Sequence, residues 1–144
     1  MGYRLVRPVW LAGTTLRAMS ALDGPMTQGT HSSVGGLDID EITAGDVRVK
    51  RVVYPPGWRW STSMKDVTGT DRCMHAHVGF LAQGAMVVEF ADGCTEEFRA
   101  PAFVVVEPGH DGWVVSDDPA VLMQVDGGPG TVERFGLLGK HAHQ

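Results

Sequence analysis

Residues 85–98 read AMVVEFADGCTEEF, two short β-prone runs with a tight turn signal between them. Asp92-Gly93 is typical of hairpins, because both residue types adopt the positive φ angles that a type I′ turn requires. The stretch therefore predicts an antiparallel hairpin in which Ala85–Phe90 is joined to Thr95–Phe98. It is the clearest single structural signal in the chain.

Runs of the same kind lie on both sides of this hairpin, and each is ended by turn residues. Several short, β-branched segments at this spacing predict an all-β barrel or sandwich. No sustained helical period and no glycine-rich phosphate loop followed by a helix accompany them. The predicted strands are Val47–Tyr54, Trp58–Met64, Asp71–Gln83, Ala85–Phe90, Thr95–Phe98, Ala102–Val106, Trp113–Ser116 and Val121–Val125.

The N-terminal residues 1–46 differ in pattern from the rest of the chain, because small and flexible residues interrupt every hydrophobic period that would indicate a helix or a strand. Only Val6–Leu11 and Leu16–Leu22 are predicted to be ordered there. We expect a loop-rich arm that either covers the core or crosses to a second subunit, since antiparallel edges are commonly protected by added strands. A homodimer is slightly favoured over a monomer.

The chain is long enough for one domain and too short for two ordinary ones. Its 144 residues match the size of a typical domain with a full hydrophobic core. We divide it into an N-terminal arm (1–46), a barrel (47–126) and a C-terminal tail (127–144). From Phe135 onward the tail is expected to fray, with the last two histidines in solvent.

Composition narrows the class of partner. The formal net charge is −5, and no dense stripe of Lys or Arg is present to attract a phosphate backbone. We expect a small-molecule ligand and no nucleic-acid partner. The opening MGYRLVRP lacks the apolar stretch of a secretory signal, and no run approaches the roughly 18 apolar residues of a membrane span. A soluble, cytoplasmic protein without membrane contact is therefore expected.

Two polar clusters flank a series of predicted strands: Asp71–His77 (DRCMHAH) and Pro108–Trp113 (PGHDGW). Clustered thiol and imidazole groups have few routine uses besides holding transition metals. A disulfide is a weaker interpretation, because Cys73 lies in the first cluster and Cys94 lies beside the hairpin tip. The arrangement predicts a metal or small-molecule site in the mouth of a small barrel.

The strand series, the hairpin, the turn at Gly84 and the Pro108-Gly109 turn resemble the cupin superfamily over about residues 47–125. The resemblance implies an all-β fold, the cupin-type double-stranded β-helix or jelly-roll barrel. A typical cupin carries the motifs G-x5-H-x-H-x3-4-E-x6-G and G-x5-P-x-G-x2-H-x3-N, whose histidines and glutamate hold a divalent metal. In finer detail the chain is similar to a bacterial subgroup of single-domain cupins, with altered metal ligands.

Two registers fit the first motif. Anchoring it on Gly84 puts His77 at the glutamate position and Asp71 and Cys73 at the paired histidine positions. We favour this register because residues 77–84 have the pattern of apolar residues that is typical of the strand leading to the cupin turn.

The alternative register takes His75 and His77 as the histidine pair, with Gly69 opening the motif. It then places Leu81 or Ala82 at the glutamate position, so each register loses part of the pattern. On either register, His77 is a candidate ligand.

In the second motif Gly112 stands at the usual histidine position, and His110 precedes it by two residues. A displacement of two residues keeps a side chain on the same strand face, so His110 can still point inward. The resemblance then implies a divalent metal, zinc, iron, nickel or manganese. Its ligands would be His77, His110 and Cys73 or His75.

Other residues near the two clusters are candidates for catalysis or binding. His75 or Asp71 is the candidate proton-transfer group beside the ion, because an imidazole or carboxylate is useful when its pKa is tuned toward the working pH. Asp111 either orients His110 or caps the turn. Aromatic side chains are candidates for a ligand-binding wall, although the first two can equally fill the core: Trp58, Trp60, Phe80 and Trp113.

The leading functional hypothesis is a metal-dependent enzyme acting on a small oxygenated or carbonyl-containing metabolite. Isomerase, cyclase, lyase and dioxygenase chemistry all fit that description. One alternative is a non-catalytic module that binds a small molecule, and another is a metal-free lyase or isomerase that uses acid–base chemistry alone. Fold by itself does not choose among them.

Overall fold

Antiparallel strands dominate residues 20–137, the part of the chain that this computed structural model describes. In chain order they are β1 (Thr30–Val34), β2 (Leu37–Ala44), β3 (Val47–Tyr54), β4 (His77–Gln83), β5 (Ala85–Phe90), β6 (Thr95–Arg99), β7 (Ala102–Val106), β8 (His110–Val114) and β9 (Ala120–Asp126). They form a six-stranded sheet in the order β1-β2-β3-β9-β4-β7 and a three-stranded sheet in the order β6-β5-β8. The all-β prediction is confirmed.

The two sheets pack face to face and remain two open sheets rather than one closed ring of strands. Alternate residues of each strand point into the space between the sheets, which is why the inward positions are apolar. Val52 and Leu122 face inward from the larger sheet, and Val88 and Phe98 from the smaller one.

The hairpin between β5 and β6 is present, but its turn is not of type I′. Within this turn Gly93 has a positive φ, +85°, and Asp92 does not, since all described residues with a positive φ are glycines. The amide of Gly93 donates to the carbonyl of Phe90, and the amide of Phe90 donates to the carbonyl of Cys94. This is a type I turn followed by a glycine bulge, in which Asp92 accepts the Cys94 amide and needs no left-handed backbone.

Residues 30–44 do not fit the prediction of a loop-rich arm, because they form β1 and β2 and lengthen the larger sheet. Gly35 and Gly36, two of the small residues that interrupt the pattern of this segment, have φ angles of +55° and +80° and make the tight turn between these strands. The sheet therefore begins at Thr30 rather than Val47. The predicted element Val6–Leu11 lies outside the described residues, and the described end of Leu16–Leu22 is turn.

Three predicted strands are shifted, shorter or absent. The predicted strand Trp113–Ser116 is replaced by β8, which begins at His110 and ends at Val114. Trp58–Met64 is not a strand, since α1 (Trp60–Ser63) occupies most of it, and α2 (Lys65–Thr68) follows directly. The alternation of tryptophans mimics a strand period, but the amide of Ser61 is held by the carboxylate of Asp111, which fixes a helical turn. Between Asp71 and Gln83 only β4 is a strand.

The C-terminal part is more ordered than predicted as far as the structure describes it. A 3₁₀ turn (Gly128–Gly130) leads into α3 (Thr131–Arg134), and Leu137 is buried. The last two histidines lie outside the described residues. Within residues 20–137 no helix has the length and apolar character needed to cross a membrane.

Candidate metal and ligand site

Three potential metal ligands converge between the two sheets: Cys73, His77 and His110. His77 opens β4 and His110 opens β8, so each imidazole points inward from a different sheet. The backbone places Cys73 beside them, because its amide donates to the carbonyl of His110 at 2.8 Å and its carbonyl accepts from Gly109 at 2.7 Å. The ligand atoms of the three residues lie within 4.8 Å of one another.

Hydrogen bonds fix the orientation of both imidazoles. Nδ1 of His77 lies 2.9 Å from Oε1 of Gln124, and Nδ1 of His110 lies 2.5 Å from the carbonyl oxygen of Glu107. Each carbonyl oxygen accepts a hydrogen bond from the N–H at Nδ1, which leaves the lone pair on Nε2. Metal-binding histidines are typically held in this way, with the second ring nitrogen donating to an oxygen.

The spacing of one donor pair, Cys73 and His77, matches that of two ligands of one ion. In a tetrahedral zinc site with Zn–S of about 2.3 Å and Zn–N of about 2.05 Å, the sulfur and nitrogen are about 3.6 Å apart. Sγ of Cys73 and Nε2 of His77 are 3.6 Å apart here. The donor set, one thiol and two imidazoles, is also the kind that zinc and related transition metals prefer.

Burial sets the protonation of these groups. Burial, together with the neighbouring His110, lowers the pKa of His77 to about 3. Burial also lowers the pKa of His110 and raises that of Cys73 to about 11. Both imidazoles are therefore neutral at pH 7, which is the form that binds metal, whereas the thiol must lose its proton when an ion binds.

The three donors lie in the wall of a cavity of about 430 Å³ between the sheets. Most of its lining is apolar, and tryptophan, methionine and β-branched residues predominate. The polar part is concentrated around the donors: Lys50 and Gln124 are opposite each other on β3 and β9, and Gln124 holds His77. Other lining side chains include Leu37, Val52, Tyr54, Trp58, Trp60, Met64, Met86, Phe98, Val106 and Leu122.

The two predicted proton-transfer residues have different surroundings. His75 lines the cavity, its side chain is 63% exposed, and its Nε2 is 3.6 Å from Oδ2 of Asp126. Asp71 lies outside the cavity, with its carboxylate 87% exposed and 2.7 Å from the ammonium of Lys65. The assignment of Asp71 as a proton-transfer group was wrong, because the loop before β4 turns its side chain to solvent.

Of the four aromatic residues predicted to bind a ligand, two line the cavity and two do not. Trp58 and Trp60 are buried and line the cavity. Phe80 points from the outer face of β4 and contacts Phe103 with ring centroids 6.1 Å apart. Trp113 faces away from the cavity under the guanidinium of Arg59, 4.2 Å from its ring centroid. Phe80 and Trp113 were therefore wrongly assigned, since strand alternation puts them on outward faces.

Asp111 has a positioning role that does not involve His110. Its carboxylate accepts from the guanidinium and Nε of Arg59 and from both the amide and the hydroxyl of Ser61. These contacts tie the start of α1 to β8. Because Trp60 is the first residue of α1, Asp111 indirectly holds one wall of the cavity.

Comparison with known proteins rests on structure alone, since no family model and no curated protein matches the sequence. A conserved barrel domain protein of the Cupin 2 type from Salinispora arenicola superimposes with a TM-score of 0.52 and 17% identity. The match covers 84% of this chain and 98% of that chain. The chain has the cupin fold.

Two further solved structures superimpose on this chain with lower TM-scores. KdgF from a Halomonas species has a TM-score of 0.47 at 17% identity, covering 67% of this chain and 83% of that one. The cupin domain of Schizosaccharomyces pombe Cnp3 has a TM-score of 0.49 at 11% identity, covering 74% of each chain. At 17% identity the likeness to the Salinispora arenicola protein extends to the fold and no further.

The ligand cluster agrees better with the first of the two predicted registers of the first motif than with the second. His77, common to both, lies with Cys73 of the first register, whereas His75 of the second is 6.5 Å away between ring centroids. Gly112, at the usual histidine position, lines the cavity without offering a ligand, and His110 two residues earlier lies in the cluster.

Some residues of the site were not found from the sequence. Gln124 is a lone amide in the apolar run AVLMQVD, and Tyr54 and Lys50 lie in β3 among valines. An isolated polar residue at an inward strand position was the only signal available. Burial raises the pKa of Tyr54 above its usual value, and the nearby Cys73 adds to this, so the phenol stays protonated.

Proposed function

We propose that this cupin holds one divalent metal ion through Cys73, His77 and His110 and is an enzyme acting on a small oxygenated or carbonyl-containing metabolite. The observation that supports this most is the convergence of three ligand atoms within 4.8 Å in the wall of a cavity of about 430 Å³. Zinc, iron, nickel and manganese are the candidate ions.

An ion with an open coordination position would polarise a carbonyl group or bind an oxygenated molecule. His75, which lines the same cavity and has its imidazole near the carboxylate of Asp126, would be the residue that moves a proton. Trp58 and Trp60 would pack against the apolar part of the substrate and exclude water. Isomerase, cyclase, lyase and dioxygenase reactions all remain within this proposal.

Metal content per chain tests the proposal directly. We expect close to one ion per chain by inductively coupled plasma mass spectrometry in untagged protein purified without chelators. The double variant Cys73→Ala/His77→Ala should contain none, because one remaining imidazole cannot hold an ion. Cys94→Ala, which removes the other cysteine, is the control and should keep its metal.

Two results would contradict the proposed metal site. One is wild-type protein that stays metal-free after incubation with zinc, iron, nickel and manganese salts. The other is a double variant that retains the wild-type amount. Circular dichroism of the double variant distinguishes loss of the ligands from loss of the fold.

The apolar lining of the cavity favours a second candidate, a module that binds a small molecule without turning it over. Most polar lining groups are already paired or belong to the donor cluster, so few are left for chemistry. Tight binding of a metabolite by metal-free protein, with no product formed, would support this candidate. The third candidate, a metal-free acid–base enzyme, would have to rely on His75 alone, because Asp71 lies outside the cavity.

The assembly and location of the protein are also proposals. A homodimer is expected to give twice the chain mass of 15.5 kDa by light scattering at micromolar concentration. A small-molecule ligand, no nucleic-acid partner, no membrane contact and a cytoplasmic location complete the proposal.

A further inference from the structure

Tyr54 is a buried polar residue whose hydroxyl has no hydrogen-bond partner among residues 20–137. It ends β3, is only 6% exposed and lines the cavity. Its ring packs edge-on against Trp58, with ring centroids 5.0 Å apart. The hydroxyl is not among the fully sealed, unpaired polar atoms of this part of the chain, so it borders open space.

An unpaired hydroxyl in such a place indicates a missing partner. Buried tyrosines normally satisfy their O–H group, because an unpaired buried donor costs free energy. Since the cavity is the open space that Tyr54 borders, the partner must come from whatever occupies the cavity. An occupant made only of carbon and hydrogen would leave the donor unsatisfied.

The surroundings of Tyr54 define the rest of the occupant. Trp58, Trp60, Met86 and Phe98 supply an apolar wall. A cavity of roughly 150 Å³ holds one benzene ring, so 430 Å³ has room for one or two rings and a short substituent.

We propose that Tyr54 contacts the ligand directly, donating a hydrogen bond to an oxygen of a small, mainly apolar molecule that carries a carbonyl, carboxylate or hydroxyl group. The proposal deepens the proposed function, on which it rests for the idea that the cavity takes a small oxygenated molecule. It does not require the metal, because the hydrogen bond is made by the protein alone.

Acetophenone and α-methylstyrene are a matched pair of probes, because they differ only in a carbonyl oxygen replaced by a methylene group. Dissociation constants of both would be measured by ligand-observed nuclear magnetic resonance for wild type and Tyr54→Phe. Acetophenone should bind Tyr54→Phe about 2- to 10-fold more weakly, the loss expected for one neutral hydrogen bond. α-Methylstyrene should bind both proteins equally.

Thr43→Val is the control, since it removes a hydroxyl from an exposed position of β2 that does not line the cavity. It should behave as the wild type with both probes. The proposal is overturned if acetophenone binds wild type and Tyr54→Phe equally, if both probes weaken to the same extent, or if acetophenone does not bind the wild type. Melting temperatures of the variants separate a packing defect from the loss of a contact.

Running the titrations with zinc-loaded and chelator-treated protein separates this proposal from the metal proposal. An oxygen-dependent effect of Tyr54→Phe in protein that takes up no zinc would uphold the role of Tyr54 while the metal site fails. Stoichiometric zinc without any oxygen-dependent effect would overturn the role of Tyr54 and leave the metal site intact.

Discussion

Asp40 and Arg51 are directly opposite each other on β2 and β3 and form an ion pair whose side chains are only 5% and 1% exposed. The same guanidinium donates to the carbonyl oxygens of Leu22 and Gly24. Asp40 in turn accepts from the amide of Met26. The pair therefore fastens the chain before β1 onto the outer face of the larger sheet.

Replacing Asp40 with alanine should destabilise the fold by about 3–5 kcal/mol, because it leaves Arg51 buried without its counter-charge. Urea denaturation followed by tryptophan fluorescence measures this difference. Asp38→Ala, on the same strand but exposed, is the control and should change the free energy of unfolding by less than about 0.5 kcal/mol. Equal effects of the two variants would contradict the importance of the buried pair.

The contribution of Asp40 should also depend on pH. Burial alone would raise the pKa of Asp40, but hydrogen bonds from His31 and the Met26 amide, together with the charge of Arg51, lower that pKa below its usual value. A carboxyl whose folded pKa is lowered stabilises the fold above its unfolded pKa and loses that effect as the pH falls through the folded value. The stability gap between wild type and Asp40→Ala should therefore be full at pH 6 and shrink below about pH 4. A gap that grows on acidification would contradict this.

Gln124→Leu should weaken zinc binding about 10- to 100-fold, because it removes the acceptor that orients the imidazole of His77. Competition with a zinc-binding dye measures the affinity. Gln83→Leu is the control, since the amide of Gln83 contacts Asp23 and the carbonyl of Pro119 rather than any candidate ligand. If both variants bind zinc like the wild type, the role assigned to Gln124 is incorrect.

Asp111→Ala should disturb the wall formed by Trp60, because it releases Arg59 and Ser61 from β8. We expect a loss of about 1–3 kcal/mol in the free energy of unfolding, because several part-buried hydrogen bonds lose their acceptor, together with a red shift of tryptophan emission. Asp117→Ala, in the exposed loop after β8, should leave both quantities unchanged. An unshifted emission spectrum in Asp111→Ala would show that α1 keeps its place without this anchor.

Replacing Gly112 or Gly79 with alanine should have very different effects on the stability of the fold. A Cβ at Gly112 would be 3.6 Å from the carbonyl oxygen of Val87, an ordinary contact, whereas one at Gly79 would be 2.0 Å from that of Met123. Gly112→Ala should therefore fold with nearly wild-type stability, and Gly79→Ala should lose about 3 kcal/mol or more, because β4 and β9 must separate. Thermal unfolding compares them, and a similar loss in both would contradict the geometry.

The strand series could be predicted because its apolar, β-branched runs are local signals. Ala85–Phe90 and Ala102–Val106 have the predicted bounds. The region around Trp58 and Trp60 could not be predicted, since its helical turn depends on Asp111, a residue about 50 positions later. Local periodicity carries no information about such a distant acceptor.

The candidate site was partly foreseen for the same reason. Cys73, His77 and His110 are conspicuous residue types in two clusters, and the cupin resemblance places those clusters together. Gln124 and Tyr54 gave no such sign, because a single polar residue in an apolar strand is as consistent with an edge position as with a cavity. Only the pairing of the strands shows that they face the same space.

The side chains that line the cavity are largely those that make up the hydrophobic core, among them Val52, Leu81, Val88 and Leu122. The core is thus hollow, and a molecule that fills it also completes the packing between the sheets. A ligand present at about 100 times its dissociation constant stabilises a fold by about 2.7 kcal/mol. A fraction of a metabolite extract that contains the ligand should therefore raise the melting temperature of the protein. Melting temperatures can rank such fractions before any reaction is assayed.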